Sequence, residues 1–121
     1  MKTILLSLGC LFALSFSSCS KEEKAEGVFK AKLIASFCAY NIVEIQDKNY
    51  FNLGMTWTSP SGTVYNNVFT VSNYCDFNAK GIKVNELFDC RILEKETQDG
   101  CGICYGYMET PPLNRNIEVV K

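Results

Sequence analysis

The chain has 121 residues, with 12 Lys plus Arg against 13 Asp plus Glu and no histidine. A formal charge of −1 without a basic stripe argues against a nucleic-acid partner. The missing imidazole excludes Ser-His-Asp and Cys-His nucleophile activation and every His-containing metal site, so any catalysis would have to use carboxylates or thiols.

Met1-Lys2-Thr3 is a short cationic start, and Ile4 to Phe16 is a mostly apolar run closed by the small pair Ser17-Ser18. That is the pattern of a cleaved signal-peptide helix, too short for the roughly 20 residues that span a bilayer. The small pair precedes Cys19, and the segment resembles the lipobox of bacterial lipoprotein precursors, with Phe16 standing where Leu or Val is usual. The resemblance implies cleavage after residue 18 and a lipidated, palmitate-bearing Cys19. Ser20-Lys21-Glu22-Glu23 resembles the acidic export signal of surface lipoproteins of Bacteroidota, which implies the outer face of the outer membrane. The same charges also read as a solvated, disordered tether. Each buried acyl CH₂ contributes about 0.8 kcal/mol, and two or more chains hold a protein stably on a membrane. The expected organisation is signal peptide 1–18, lipidated Cys19 and tether 19–27, and one domain 28–121. Apart from the covalent lipid on Cys19, no cofactor is expected.

In the domain, Val28 to Phe37 alternates, with Phe29, Ala31, Leu33, Ala35 and Phe37 on one face and Lys30, Lys32 and Ser36 on the other. Such period-two patterning predicts a half-buried strand. Cys38 to Asn41 breaks it, and Ile42 to Gln46 resumes it with Val43 and Ile45 against Glu44 and Gln46. Asp47-Lys48-Asn49 has turn composition, which predicts a hairpin into a strand from Tyr50 to Thr58 whose apolar face is Phe51, Leu53, Met55 and Trp57. Ser59-Pro60-Ser61-Gly62 predicts a second hairpin turn. Thr63 to Ser72 returns as a strand with Tyr65, Phe69 and Val71 on one side and a bulge at Asn66-Asn67.

Asn73 to Gly81 reads as a loop. Ile82 to Leu93 fits a strand through Val84, Phe88, Cys90 and Ile92, and a helical stripe nearly as well; strand is chosen because its neighbours are strands. Ile103 to Met108 predicts a further strand, ended by Thr110-Pro111-Pro112, and Ile117 to Val120 a last one. Six to seven short strands without an amphipathic helix predict an all-β barrel or sandwich. Their order and lengths resemble an OB-type barrel.

Of the cysteines, Cys38, Cys75, Cys90, Cys101 and Cys104 remain in the domain. Cys90 shares parity with Phe88 and Ile92 and reads as a buried free thiol. The other four are disulfide candidates, each bridge contributing roughly 2–4 kcal/mol to a small exported domain. Four cysteines allow three pairings. The preferred one joins Cys38 to Cys75 and Cys101 to Cys104, and the alternative sends Cys101 and Cys104 separately to Cys38 and Cys75. Cys101-Gly102-Ile103-Cys104 also has the form of a thiol oxidoreductase motif. It lacks the helix start that lowers the first thiol's pKa there, because Gly100 and Gly102 flank it and Tyr105 to Tyr107 has strand character. A four-thiolate zinc site is a third reading, disfavoured by an oxidising location.

No catalytic residue and no metal site is assigned. Tyr40, Tyr50, Trp57, Tyr65, Tyr74, Tyr105 and Tyr107 could line a sugar or peptide groove. Trp57 and Tyr65 fall on faces assigned to the core, so Tyr40, Tyr50 and Tyr74, beside turns, are the preferred candidates for an exposed ligand-binding surface. The carboxylates, Glu109 among them, read as solvated residues. The function expected is a non-enzymatic binding or envelope-interaction module for a glycan, peptide or protein ligand, held to the membrane by its lipid. The alternatives are thiol-disulfide exchange through Cys101 and Cys104, and a structural subunit of an outer-membrane complex.

Overall fold

A computed structural model describes residues 27–94, 101 and 105–120. The signal segment, Cys19 and the tether to residue 26 lie outside the described residues, as do Ile103 and Cys104. Six strands form one sheet: β1 (Phe29–Phe37), β2 (Tyr40–Ile45), β3 (Met55–Thr58), β4 (Val64–Val71), β5 (Leu87–Leu93) and β6 (Asn114–Val119). A 3₁₀ turn covers Lys48–Leu53, and a short helix, α1 (Tyr74–Ala79), follows β4. Among the described residues no helix is long and apolar enough to cross a membrane.

The sheet runs β2-β1-β5-β6-β4-β3, and a further β2–β4 pairing closes five of the strands into a barrel, leaving β3 outside on β4. All pairings are antiparallel except β4 with β6. With β3 set aside, the third and fifth barrel strands are parallel neighbours, and the helix falls between the third and fourth. This is the connectivity of an OB-type barrel.

The barrel is filled by the inward residues of each strand: Phe29, Ala31 and Leu33 from β1, Val43 and Ile45 from β2, Phe69 and Val71 from β4, Phe88 and Cys90 from β5, and Ile117 from β6. Full burial of each large apolar side chain contributes about 1.5–3 kcal/mol. Phe77 of α1 closes the cluster, packed edge-on against Phe88 at 5.6 Å between ring centroids.

The loop expected over Asn73 to Gly81 is therefore partly helix. One turn and a half with a single apolar anchor has no stripe for periodicity to find. The helix is held by tertiary bonds: Asn73, at its N-cap position, makes no side-chain cap bond. Instead its Nδ2 donates to the Ile117 carbonyl at 2.7 Å, and its Oδ1 accepts from the Ile117 N–H at 2.9 Å.

The strand expected from Tyr50 begins only at Met55. Asp47 accepts a hydrogen bond from the Asn49 N–H at 3.1 Å and so nucleates the 3₁₀ turn in place of a hairpin. Arg115 of β6 then donates from Nε to the Leu53 carbonyl at 2.7 Å, pinning that turn to the barrel. At the next residue, a Cβ on Gly54 would stand 2.5 Å from the Asn67 carbonyl carbon, so only glycine permits this approach to β4. Asn67 has φ +62° and lies in the extra residue of β4 between the Met55–Val68 and Trp57–Tyr65 pairs, which is the bulge expected there. The Ser59 to Gly62 turn closes as expected, with the Gly62 N–H donating to the Ser59 carbonyl at 2.9 Å.

Within Ile82 to Leu93 the strand is confined to Leu87–Leu93. Asn85 takes φ +76° and Val84 is exposed, so Val84 does not share the inward face of Phe88 and Cys90. The strand expected from Ile103 to Met108 is not formed over its described part: 105–110 has no strand pairing, and the last strand starts earlier than expected, at Asn114.

Cys90 is a free cysteine with no solvent exposure. Burial pushes its thiol up to about 12, with a smaller push from Asp89. The folded protein thus keeps this proton where the unfolded chain loses it, and stability falls as pH rises above about 9, by about 1.4 kcal/mol per unit until the folded thiol itself ionises. Urea titrations at several alkaline pH values, compared with Cys90→Ala, read this slope. An identical slope in the variant would refute the assignment.

Candidate ligand-binding face

Two features of β1 and β2 turn aromatic residues outward. The register between β1 and β2 shifts between Leu33 and Ala35, so the inward face of β1 ends at Leu33. Ala35 becomes half-buried and Phe37 is 46 % exposed, although their odd parity had placed both in the core. The strands are then joined by a two-residue turn in which Cys38 has φ +54°, the sign that hairpin turns matching the strand twist require.

Over this turn lies the connection that returns to β6. Tyr107 meets Tyr40 edge-on, with ring centroids 5.6 Å apart, and Tyr107 and Tyr105 are 75 % and 95 % exposed. Gly106 fits because it lacks a side chain: a Cβ there would run into the Phe37 ring and come within 3.2 Å of the Cys38 sulfur. Beneath, a polar chain fixes the turn. Ser36 Oγ donates to Asn41 Oδ1 at 2.7 Å, and Asn41 Nδ2 donates to Asn78 Oδ1 at 2.9 Å. Asn78 Nδ2 in turn donates to the Cys38 carbonyl at 3.3 Å. Asn41 is wholly buried, so these bonds replace its lost hydration.

Cystine chemistry holds the same connection. Cys75 in α1 is bonded to Cys101, with Cα atoms 5.7 Å apart. This overturns the preferred pairing of Cys38 with Cys75 and Cys101 with Cys104. The helix, absent from the sequence reading, carries Cys75 to the returning connection, and the Cys101 N–H lies 3.2 Å from the Cys75 sulfur. Cys38 is disulfide-bonded as well. Cys101 therefore does not share a cystine across the C-x-x-C motif, and Cys75 and Cys101, bonded to each other, are not thiolate ligands for zinc.

Beside the exposed tyrosines runs a groove of about 170 Å³. Its lining includes Ile34 and Ile42 from the barrel, Trp57 and Tyr65 from the β3–β4 hairpin, and Met108 and Glu109 from the returning connection. Trp57 and Tyr65 are cross-strand partners whose rings stack at 6.2 Å with 21° between planes. Both are half-buried and neither belongs to the core, contrary to expectation, because the bulge at Asn66–Asn67 separates the inward face of β4 from the parity of Tyr65.

Of the three tyrosines expected to bind, only Tyr40 joins this face. Tyr50 stacks on Phe29 at 5.0 Å and packs against the core, and Tyr74 is half-buried in α1. The residue missed is Phe37, which parity assigns to the core; Trp57, Tyr65, Tyr105 and Tyr107, among the aromatics able to line a groove, gather here in place of the turn residues Tyr50 and Tyr74. The signal in the sequence was Tyr105-Gly106-Tyr107 itself, an aromatic pair around a glycine between a cysteine and two prolines. No protein-family model, curated protein or solved structure matches the chain.

Proposed function

We propose that the chain is an outer-membrane lipoprotein, anchored through Cys19 and exposed at the cell surface, whose barrel serves as a non-enzymatic binding module. The observation that carries the binding role is the gathering of Phe37, Tyr40, Tyr105 and Tyr107 at one turn, with the Trp57–Tyr65 groove beside them. The exposed Tyr107, in edge contact with the half-buried Tyr40 over a turn held by cystines and a buried polar chain, presents a braced aromatic surface that loses little entropy on binding. A barrel needs none of them for its core. The OB-type connectivity by itself names no ligand.

Two measurements test the two halves of this reading. Metabolic labelling with an alkynyl fatty acid should mark the protein, and Cys19→Ala should lose both label and membrane association. Protease added to intact cells should remove the domain, and complete protection would overturn surface exposure. For the binding face, amide NMR spectra of the mature chain are recorded against a panel of envelope glycans and peptides. Perturbations should map to residues 37–41, 57–65 and 105–109, and Tyr107→Ala should abolish them without changing the fold. Perturbations confined to other surfaces, or a panel ligand bound equally by the variant, would refute the face.

A further inference from the structure

The groove beside the tyrosines has a distinct electrostatic character. Its lining contains no lysine or arginine. It does contain Glu109, which is exposed and, among the described residues, makes no hydrogen bond or ion pair. The rings of Trp57 and Tyr65 belong to the same lining and lie nearly parallel to each other. An aromatic face is the negative end of a quadrupole, and tryptophan is the strongest of the three rings in attracting a cation. An unpaired carboxylate in the same lining adds a full negative charge, so the groove attracts positive charge and repels anions.

We infer that this groove receives the cationic head of an arginine or lysine side chain presented by a partner protein. The inference rests on the binding-face reading above and names the chemistry that one part of the face recognises. At about 170 Å³ the groove holds one such head and its apolar stem, with Ile34 and Met108 available to the methylene groups. A neutral sugar would stack on the rings equally well but would not require Glu109. The sequence makes the test direct, because Trp57 is the one tryptophan of the chain.

Mature lipidated protein in detergent is titrated with a blocked tripeptide carrying a central arginine, with its citrulline counterpart, and with a neutral oligosaccharide, while tryptophan emission is followed. The arginine peptide should change Trp57 emission saturably, at about millimolar concentration. Citrulline should weaken the response about tenfold and Glu109→Gln about two- to fivefold, and added salt should weaken the response of the parent further. Equal response to citrulline, no effect of Glu109→Gln, or silence toward arginine each overturns the inference. If arginine fails while another panel ligand still perturbs residues 37–41 and 105–109 in a Tyr107-dependent way, only the cation assignment falls. If no ligand perturbs those residues, the binding face falls with it.

Discussion

Asn73→Ala is expected to lower the unfolding free energy by about 2–4 kcal/mol, a large share of the 5–15 kcal/mol that a domain of this size holds. Asn73 is 1 % exposed, and its amide satisfies both the N–H and the C=O of Ile117. Truncation leaves both backbone groups buried without partners, each costing about 1–3 kcal/mol, and opens a void that apolar neighbours fill poorly. It also frees the start of α1 from β6, so Phe77 loses its guide into the core. Urea unfolding of the variant and the parent, with comparable slopes, measures the difference. A loss below about 1 kcal/mol would mean that water reaches Ile117 and that the amide is not the clamp described.

The second large effect is expected at the Cys75–Cys101 cystine. Its partners are 26 residues apart, and removing a loop closure of that length costs about 3.5 kcal/mol on the chain-entropy account. The double variant Cys75→Ala/Cys101→Ala should therefore melt well below the parent. The consequence for function is separate. No cysteine of this cystine belongs to the barrel core, and the eleven-residue cluster that fills the barrel is complete without it. The variant should keep its β-sheet circular dichroism at low temperature while protease cleaves the connection between β5 and β6 and the Tyr40–Tyr107 contact is lost. Retention of that contact by NMR, with the connection still resistant to protease, would show that the cystine at Cys38 and the packing of Gly106 against Phe37 are sufficient without Cys75–Cys101. A non-reducing peptide map of the parent protein should find Cys75 with Cys101.

Much of the barrel was legible from alternation alone. Phe29, Ala31 and Leu33, Val43 and Ile45, and Phe69 and Val71 sit inward as their parity requires, because a strand with one buried face must repeat every two residues. The Ser59 to Gly62 turn and the bulge at Asn66–Asn67 were legible for the same kind of reason: proline, glycine and asparagine state their backbone preferences locally. Parity misled wherever an irregularity intervened. At the shift between Leu33 and Ala35 the inward face of β1 ends, and residues that alternation assigns to the core, Ala35 and Phe37, move out of it.

The amino-acid sequence by itself determined an all-β domain, the inward residues where its strands run without a bulge or register shift, the absence of any imidazole chemistry, and the lipobox-like segment from which an anchor is expected. These follow from composition and from period-two patterns that each short segment carries within itself. Only the tertiary structure decided that β2 and β4 close the barrel, that Asn73 reaches 44 residues along the chain to Ile117, and that α1 brings Cys75 to Cys101. It also decided that Tyr105 and Tyr107 stand exposed on an unpaired connection instead of in a strand. The physical reason is the same in each case. A contact between distant segments depends on which surfaces remain unsatisfied after the local structure has formed, and that is a property of the assembled barrel rather than of any one stretch of the chain.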